Sequence, residues 1–222
     1  MAAETSATED AAVRDAVAEA AAGSTVRVWD PVVRVCHWGL ALSLLTSFAF
    51  HEGNIGVHVW TGYAALAFAA VRIAWGFVGR GHARFSSFMR SPGDTLAYAR
   101  AVRAGREERF VGHNPLGGYM ILALVATTLV VIGSGWLYTT DAFWGVEWVA
   151  ELHNASTILL IVLVVLHLAG VLFTSWRHRD NLVGAMIHGR KALRNEPAAP
   201  NGRQEPLPAR RSGENAANPS RT

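Results

Sequence analysis

Four apolar stretches, at roughly 32–50, 57–78, 116–138 and 152–176, dominate the chain and are separated by short polar segments. Each is close to the ~20 residues that cross hydrocarbon as a helix. A strand alone in lipid would leave its backbone polar groups unpaired, so the pattern predicts four transmembrane helices rather than strands. Trp29, Trp60, Trp75, Trp136, Trp144, Trp148 and Trp176 fall near the ends of these stretches, where an aromatic belt sits. Asn114 and Pro115 mark the start of the third helix, because Asn caps free amides and Pro suits the first helical position. The ends of the chain read differently. Residues 1–25 are rich in Ala, Glu, Asp and Thr, without the positive start and continuous apolar core of a cleaved signal peptide. Residues 195–222 are crowded with Pro, Gly, Asn, Arg and Ser. Both are expected to be disordered tails flanking a membrane domain over 26–194.

Charge gives the bundle a direction. The second connection carries Arg80, Arg84, Arg90, Arg100, Arg103, Arg106 and Arg109, and the exit from the fourth helix carries Arg177, Arg179, Arg190, Lys191 and Arg194. The first connection, HEGNIG, and the third, TTDAFWGVEWVAE, have no Lys or Arg. Short basic loops stay in the cytoplasm. The expected fold is therefore an all-α integral membrane four-helix bundle, N-in and C-in, in the bacterial inner membrane. The same topology explains the net charge of +3 without nucleic acid. Cys36 is the only cysteine, which excludes an intrachain disulfide, a Cys-rich cluster and covalent haem attachment through C-x-x-C-H.

Candidate chemistry lies in the histidines. His153 and His167 are fourteen residues apart in the fourth stretch. On a helix that separation is about four turns less about 40°, with a rise of roughly 21 Å, so the two share one face at two depths. A haem iron with two axial imidazoles takes one from each of two facing helices, and such a face is one wall of two stacked haems. His37, near the inner end of the first helix, faces the level of His167. For His153 two partners qualify at the outer surface, His51 and His58. His51 lies fourteen residues after His37, and His58 is followed one turn later by Gly62. A lone intramembrane histidine reads as well as a core residue, a proton relay or a metal site, but four at two matched depths favour haem. A metal carrier fits less well, because the spans contain no Asp or Glu except at their ends.

Arg72 follows His58 by fourteen residues and points from the same face at a deeper level. It is placed either to pair with a haem propionate or to snorkel to the inner surface. His82, His113, His178 and His188 fall in the basic segments, as surface or quinone-region residues. Gly39, Gly133 and Gly135 read as close-packing positions.

These residues together carry a resemblance. RVCHW (34–38), HVWTGY (58–63), RIAWGFVG (72–79), GHNPLG (112–117) and the H-x13-H of 153–167 resemble the prokaryotic cytochrome b561 family, and more narrowly the b-type cytochrome subunits of nickel-iron hydrogenases. The resemblance covers about 26–194. It implies two non-covalent, bis-histidine haem b groups, with axial ligands at His37, His58, His153 and His167, and so prefers His58 to His51. It implies electron relay between the quinone pool and a periplasmic redox protein, such as a hydrogenase or a c-type cytochrome. With both axial positions filled, neither iron is open to substrate. Two other functions are weighed against it. A self-contained superoxide and quinone oxidoreductase is disfavoured by the acidic outer loops with Glu52, Asp141, Glu147 and Glu151, which repel an anion. The other is a haem-free membrane anchor or metal carrier.

Overall fold

The computed structural model describes residues 25–108, 110 and 112–192, which lie within one compact unit, Gly23–Leu193. Apart from Thr25, both expected tails lie outside the described residues, as does Arg109 of the basic connection. In chain order the elements are β1 (Thr25–Arg27), α1 (Pro31–Ala49), α2 (Ile55–Val78), two 3-10 turns (Gly81–Ala83 and Phe85–Ser87), α3 (Pro92–Arg103), α4 (Pro115–Tyr138), α5 (Glu147–His178), α6 (Leu182–His188) and β2 (Arg190–Ala192). Among the described residues, helices α1, α2, α4 and α5 are the four long and apolar enough to cross a membrane.

The helix starts follow local chemistry. Asp30 accepts from the Val33 amide at 2.9 Å ahead of Pro31, Asn54 from Val57 at 3.2 Å, and Asn114 from Gly117 at 2.7 Å ahead of Pro115. Each cap satisfies an amide that has no intrahelical partner. Helix α5 begins at Glu147, five residues before its expected start, and runs for 32 residues. At 1.5 Å per residue that is about 48 Å, longer than the roughly 30 Å of hydrocarbon, so its ends project. The glutamates that made this segment look like a loop instead occupy the first turns of a helix outside lipid, where the helix dipole favours negative charge.

The packing is inverted relative to a water-soluble bundle. Leu45 is 65% exposed, Trp60 74% and Leu172 62%, whereas Ser43, Ser47, Thr127, Thr128, Ser134 and Ser156 are buried. Lipid takes the apolar faces, and small polar residues turn inward, where helices approach closely and hydroxyls find carbonyls. Helices α1 and α2 pack together, as do α4 and α5, and α2 also meets α4. At Gly39 a Cβ would lie 2.5 Å from the Phe68 ring, so only hydrogen allows α1 to sit this close to α2.

Two further helices and a pair of short strands were not expected. Helix α3 lies in the arginine-rich connection and starts with Ser91, which accepts from the Asp94 amide at 3.1 Å and donates to the Asp94 carboxylate at 2.7 Å. Helix α6 is short and capped by Asn181, which accepts from Gly184 at 2.6 Å. Strands β1 and β2 pair antiparallel, Thr25 opposite Ala192 and Arg27 opposite Arg190, and so draw both ends of the bundle to one side. At this polar end Val28, Trp29, Val33, Ala83 and Ala185 form a small core against Trp75, whose indole donates to Asp30 at 2.9 Å. Lys191 reaches both the Asp180 carboxylate at 3.1 Å and the Phe110 carbonyl at 3.0 Å.

Candidate functional site

Two pairs of imidazoles face each other inside the bundle, one pair at each of two levels of α5. Near the end that carries β1 and β2, His37 of α1 lies opposite His167, with ring centroids 6.4 Å apart and planes at 55°. Near the other end His58 of α2 lies opposite His153, with centroids 6.1 Å apart and planes at 76°. The helical arithmetic thus holds: fourteen residues along α5 carry both rings to facing partners at separate depths.

His51 does not join either pair. Its ring stacks on Phe48 at 5.4 Å, its Nδ1 donates to the Phe48 carbonyl at 2.7 Å, and its side chain is 51% exposed. Its Nε2 points toward Glu52 at 3.7 Å. This ring is committed to its own loop.

The His58 and His153 pair is held by carbonyls. His58 Nδ1 donates to the Ser47 carbonyl at 2.9 Å and His153 Nδ1 to the Val131 carbonyl at 2.9 Å. A carbonyl only accepts, so each Nδ1 carries the proton and each Nε2 keeps its lone pair. That is the tautomer a metal-ligating histidine needs. The Ser47 and Ser134 hydroxyls add second contacts to these Nδ1 atoms, at 3.1 Å and 3.2 Å. Gly135 makes room: a Cβ there would lie 3.0 Å from His153 Cε1. Neither serine was singled out in the sequence, and Gly135 was read only as a packing position. The one available signal was a hydroxyl in an apolar span, which must find a partner.

Arg72 lies at the deeper level, as expected from its spacing. Its guanidinium sits 5.1 Å from the centre of the Phe85 ring and 3.5 Å from the Ala83 carbonyl, a loose contact that leaves most of its donors uncommitted. His113 is lodged between Trp29 at 4.5 Å and Phe88 at 5.0 Å, and its Nδ1 is shut from solvent without a hydrogen-bond partner among the described residues. Burial, followed by the nearby Arg72, His167, His82 and His37, pushes this imidazole down to about 3, so it is neutral at physiological pH. A cavity of about 140 Å³ opens beside it, lined by His82, Ser87, Phe88, Arg90 and Phe110 among others.

The donor set can be tested against haem. Metal–imidazole bonds are about 2.0–2.1 Å, and the ring centre lies roughly 1 Å behind the nitrogen, so two imidazoles across one iron have centroids about 6 Å apart. The observed 6.1 and 6.4 Å fit. Among the described residues no group of three or more His, Cys, Asp or Glu converges. Two imidazoles per level are what a macrocycle with four in-plane nitrogens leaves to be filled.

Comparison with known proteins points the same way. A family model described as prokaryotic cytochrome b561 matches residues 28–189. The chain is also 26% identical over 231 residues to a protein of Bradyrhizobium diazoefficiens named "Probable Ni/Fe-hydrogenase B-type cytochrome subunit", an alignment covering 81% of this chain and 92% of that one.

Proposed function

The chain belongs to the prokaryotic cytochrome b561 family, and from that premise we propose that it holds two haem b groups and relays electrons between the quinone pool and a redox partner protein. It is a multi-pass membrane b-type cytochrome of electron transfer. The finer reading assigns His37 and His167 to one haem and His58 and His153 to the other. The observation that carries it is the pair of imidazole spacings of about 6 Å at two levels of one helix.

Bound haem supplies one-electron exchange without an open coordination site. The chain's own residues fix where that exchange occurs. Carbonyls of Ser47 and Val131 hold the His58 and His153 rings in one tautomer, and the close packing of α1 on α2 and of α4 on α5 seats each ring on its own carbonyl. Arg72, with donors uncommitted, neutralises a propionate at the deeper level. His113, neutral and lining the cavity, supplies a hydrogen-bonding imidazole for a quinone ring there. Arginine-rich connections on one side and acidic loops on the other support an orientation in the inner membrane with the basic helix ends and this cavity toward the cytoplasm. The partner at the opposite side is a redox protein such as a hydrogenase or a c-type cytochrome, in keeping with the hydrogenase named in the relative's description.

The test is reduction by quinol. Detergent-purified, oxidised protein mixed with duroquinol should develop the reduced b-haem absorbance. His113→Leu should slow that change about tenfold, the effect of one lost hydrogen bond to the ring. Haem that dithionite reduces and quinol leaves oxidised would refute the quinone link.

A further inference from the structure

The two histidine pairs differ in what surrounds their rings. At the His58 and His153 level both Nδ1 atoms donate to a backbone carbonyl at 2.9 Å, and each also faces a serine hydroxyl. Those hydroxyls direct their own protons elsewhere: Ser47 donates to the His58 carbonyl at 3.0 Å, and Ser134 to the Val130 carbonyl at 2.7 Å. Each serine oxygen is therefore turned to Nδ1 as an acceptor. Two acceptors on one N–H draw the proton away from the ring and make the imidazole a stronger electron donor. An electron-rich axial ligand stabilises the oxidised metal.

At the other level the environment is opposite in sign. Among the described residues His37 and His167 have no ring-nitrogen hydrogen bond, and Arg72, fourteen residues deeper on α2 than His58, holds its guanidinium at this end of the bundle, 3.5 Å from the Ala83 carbonyl and 5.1 Å from the Phe85 ring centre. A nearby cation opposes the gain of positive charge and so favours the reduced state.

We propose that the His58 and His153 site has the lower reduction potential of the two, with Ser47 and Ser134 as the positioning residues that set it. This rests on the two-haem reading above and gives that reading a direction. With haem bound at both levels, one electron lost at the level of His58 and His153 would be gained at that of His37 and His167, and no proton need accompany it. At equilibrium a single electron therefore resides at the level beside Arg72 and His113. Electron flow from the partner protein toward quinone runs downhill inside the chain.

A spectroelectrochemical titration of the full haem-loaded chain tests this. Two one-electron waves are expected. His37→Ala protein, which keeps only the His58 and His153 site, should retain the lower wave, and His58→Ala protein the upper one. Ser47→Ala and Ser134→Ala should each raise only the lower wave, by an amount equivalent to an about threefold to tenfold change in the reduced-to-oxidised ratio at fixed potential. Ser134→Thr, which keeps the hydroxyl, should restore it. Arg72→Gln should lower only the upper wave. Retention of the lower wave by His58→Ala, or serine variants that leave both waves in place, would overturn the proposal. If a serine variant loses haem, the two histidine variants still decide the order. A wild-type chain with no haem wave would refute the two-haem reading itself, a different outcome from reversed waves.

Discussion

His58→Ala protein is expected to purify with half the haem of the wild type, and His51→Ala protein with all of it. The two histidines are both near the outer ends of their helices, and sequence spacing favours neither. The structure separates them by what each ring already touches. His51 is turned to Phe48 and Glu52 and is half in solvent, so its removal takes away a stacked surface contact at a cost of a few tenths of a kcal/mol. His58 faces His153 at 6.1 Å with its Nδ1 committed to Ser47. Under the proposed two-haem arrangement its loss would leave a single imidazole for an iron that takes two, with His153 alone in an apolar interior. Removing a metal ligand costs more than removing its supporting contacts, and loss of the latter alone costs 10–100-fold in affinity. His153→Ala should match His58→Ala, while His37→Ala and His167→Ala should each remove the other haem. Pyridine haemochrome spectra set against protein concentration give the ratio. A His51→Ala chain with one haem beside a His58→Ala chain with two would reverse the assignment.

Gly135→Leu is expected to remove the same haem as His153→Ala while leaving the helix intact. A Cβ at this position would lie 3.0 Å from His153 Cε1 and 3.2 Å from Nδ1, tighter than ordinary contact. The ring cannot simply retreat, because Nδ1 is tied to Val131 at 2.9 Å and to Ser134. A single added carbon in Gly135→Ala forces a shift of a few tenths of an ångström and should weaken haem retention about tenfold. The leucine side chain drives the ring off its carbonyl altogether. Helical propensity changes in the opposite sense, since either residue favours helix over glycine by nearly 1 kcal/mol, so circular dichroism should not fall. Gly133 is the control: a Cβ there meets nothing within 4 Å, and Gly133→Ala should keep full haem. Equal loss in both glycine variants would mean that α4 tolerates no added side chain and that the His153 contact has no special part.

What the sequence disclosed and what it hid follow from the range of the forces involved. The four spans were legible because lipid imposes a long, uniform apolar run. The pairing of His37 with His167 followed from helical periodicity, which is regular over such lengths. The caps at Asn114 and Pro115 were local and equally clear. The choice between His51 and His58 turned on a side-chain contact three residues back, Phe48, which no periodicity encodes. Ser47 acts on a histidine eleven residues later and Ser134 on one nineteen residues later, across a turn of the chain in each case. Such pairs depend on how two helices rotate against each other. Helix α3 was obscured by its arginines, which suggested a solvated loop, although Ser91, Pro92 and Asp94 form a capping sequence. The pairing of β1 with β2 joins segments more than 160 residues apart in sequence and had no local signal.

The central claim is that one chain holds two haem b groups, each between two histidines. Its most direct test is the haem content of the purified wild-type chain, by pyridine haemochrome absorbance against protein determined by amino-acid analysis. Two b haems per chain are predicted. One haem per chain would contradict the two-level arrangement, and none would contradict the function as a whole.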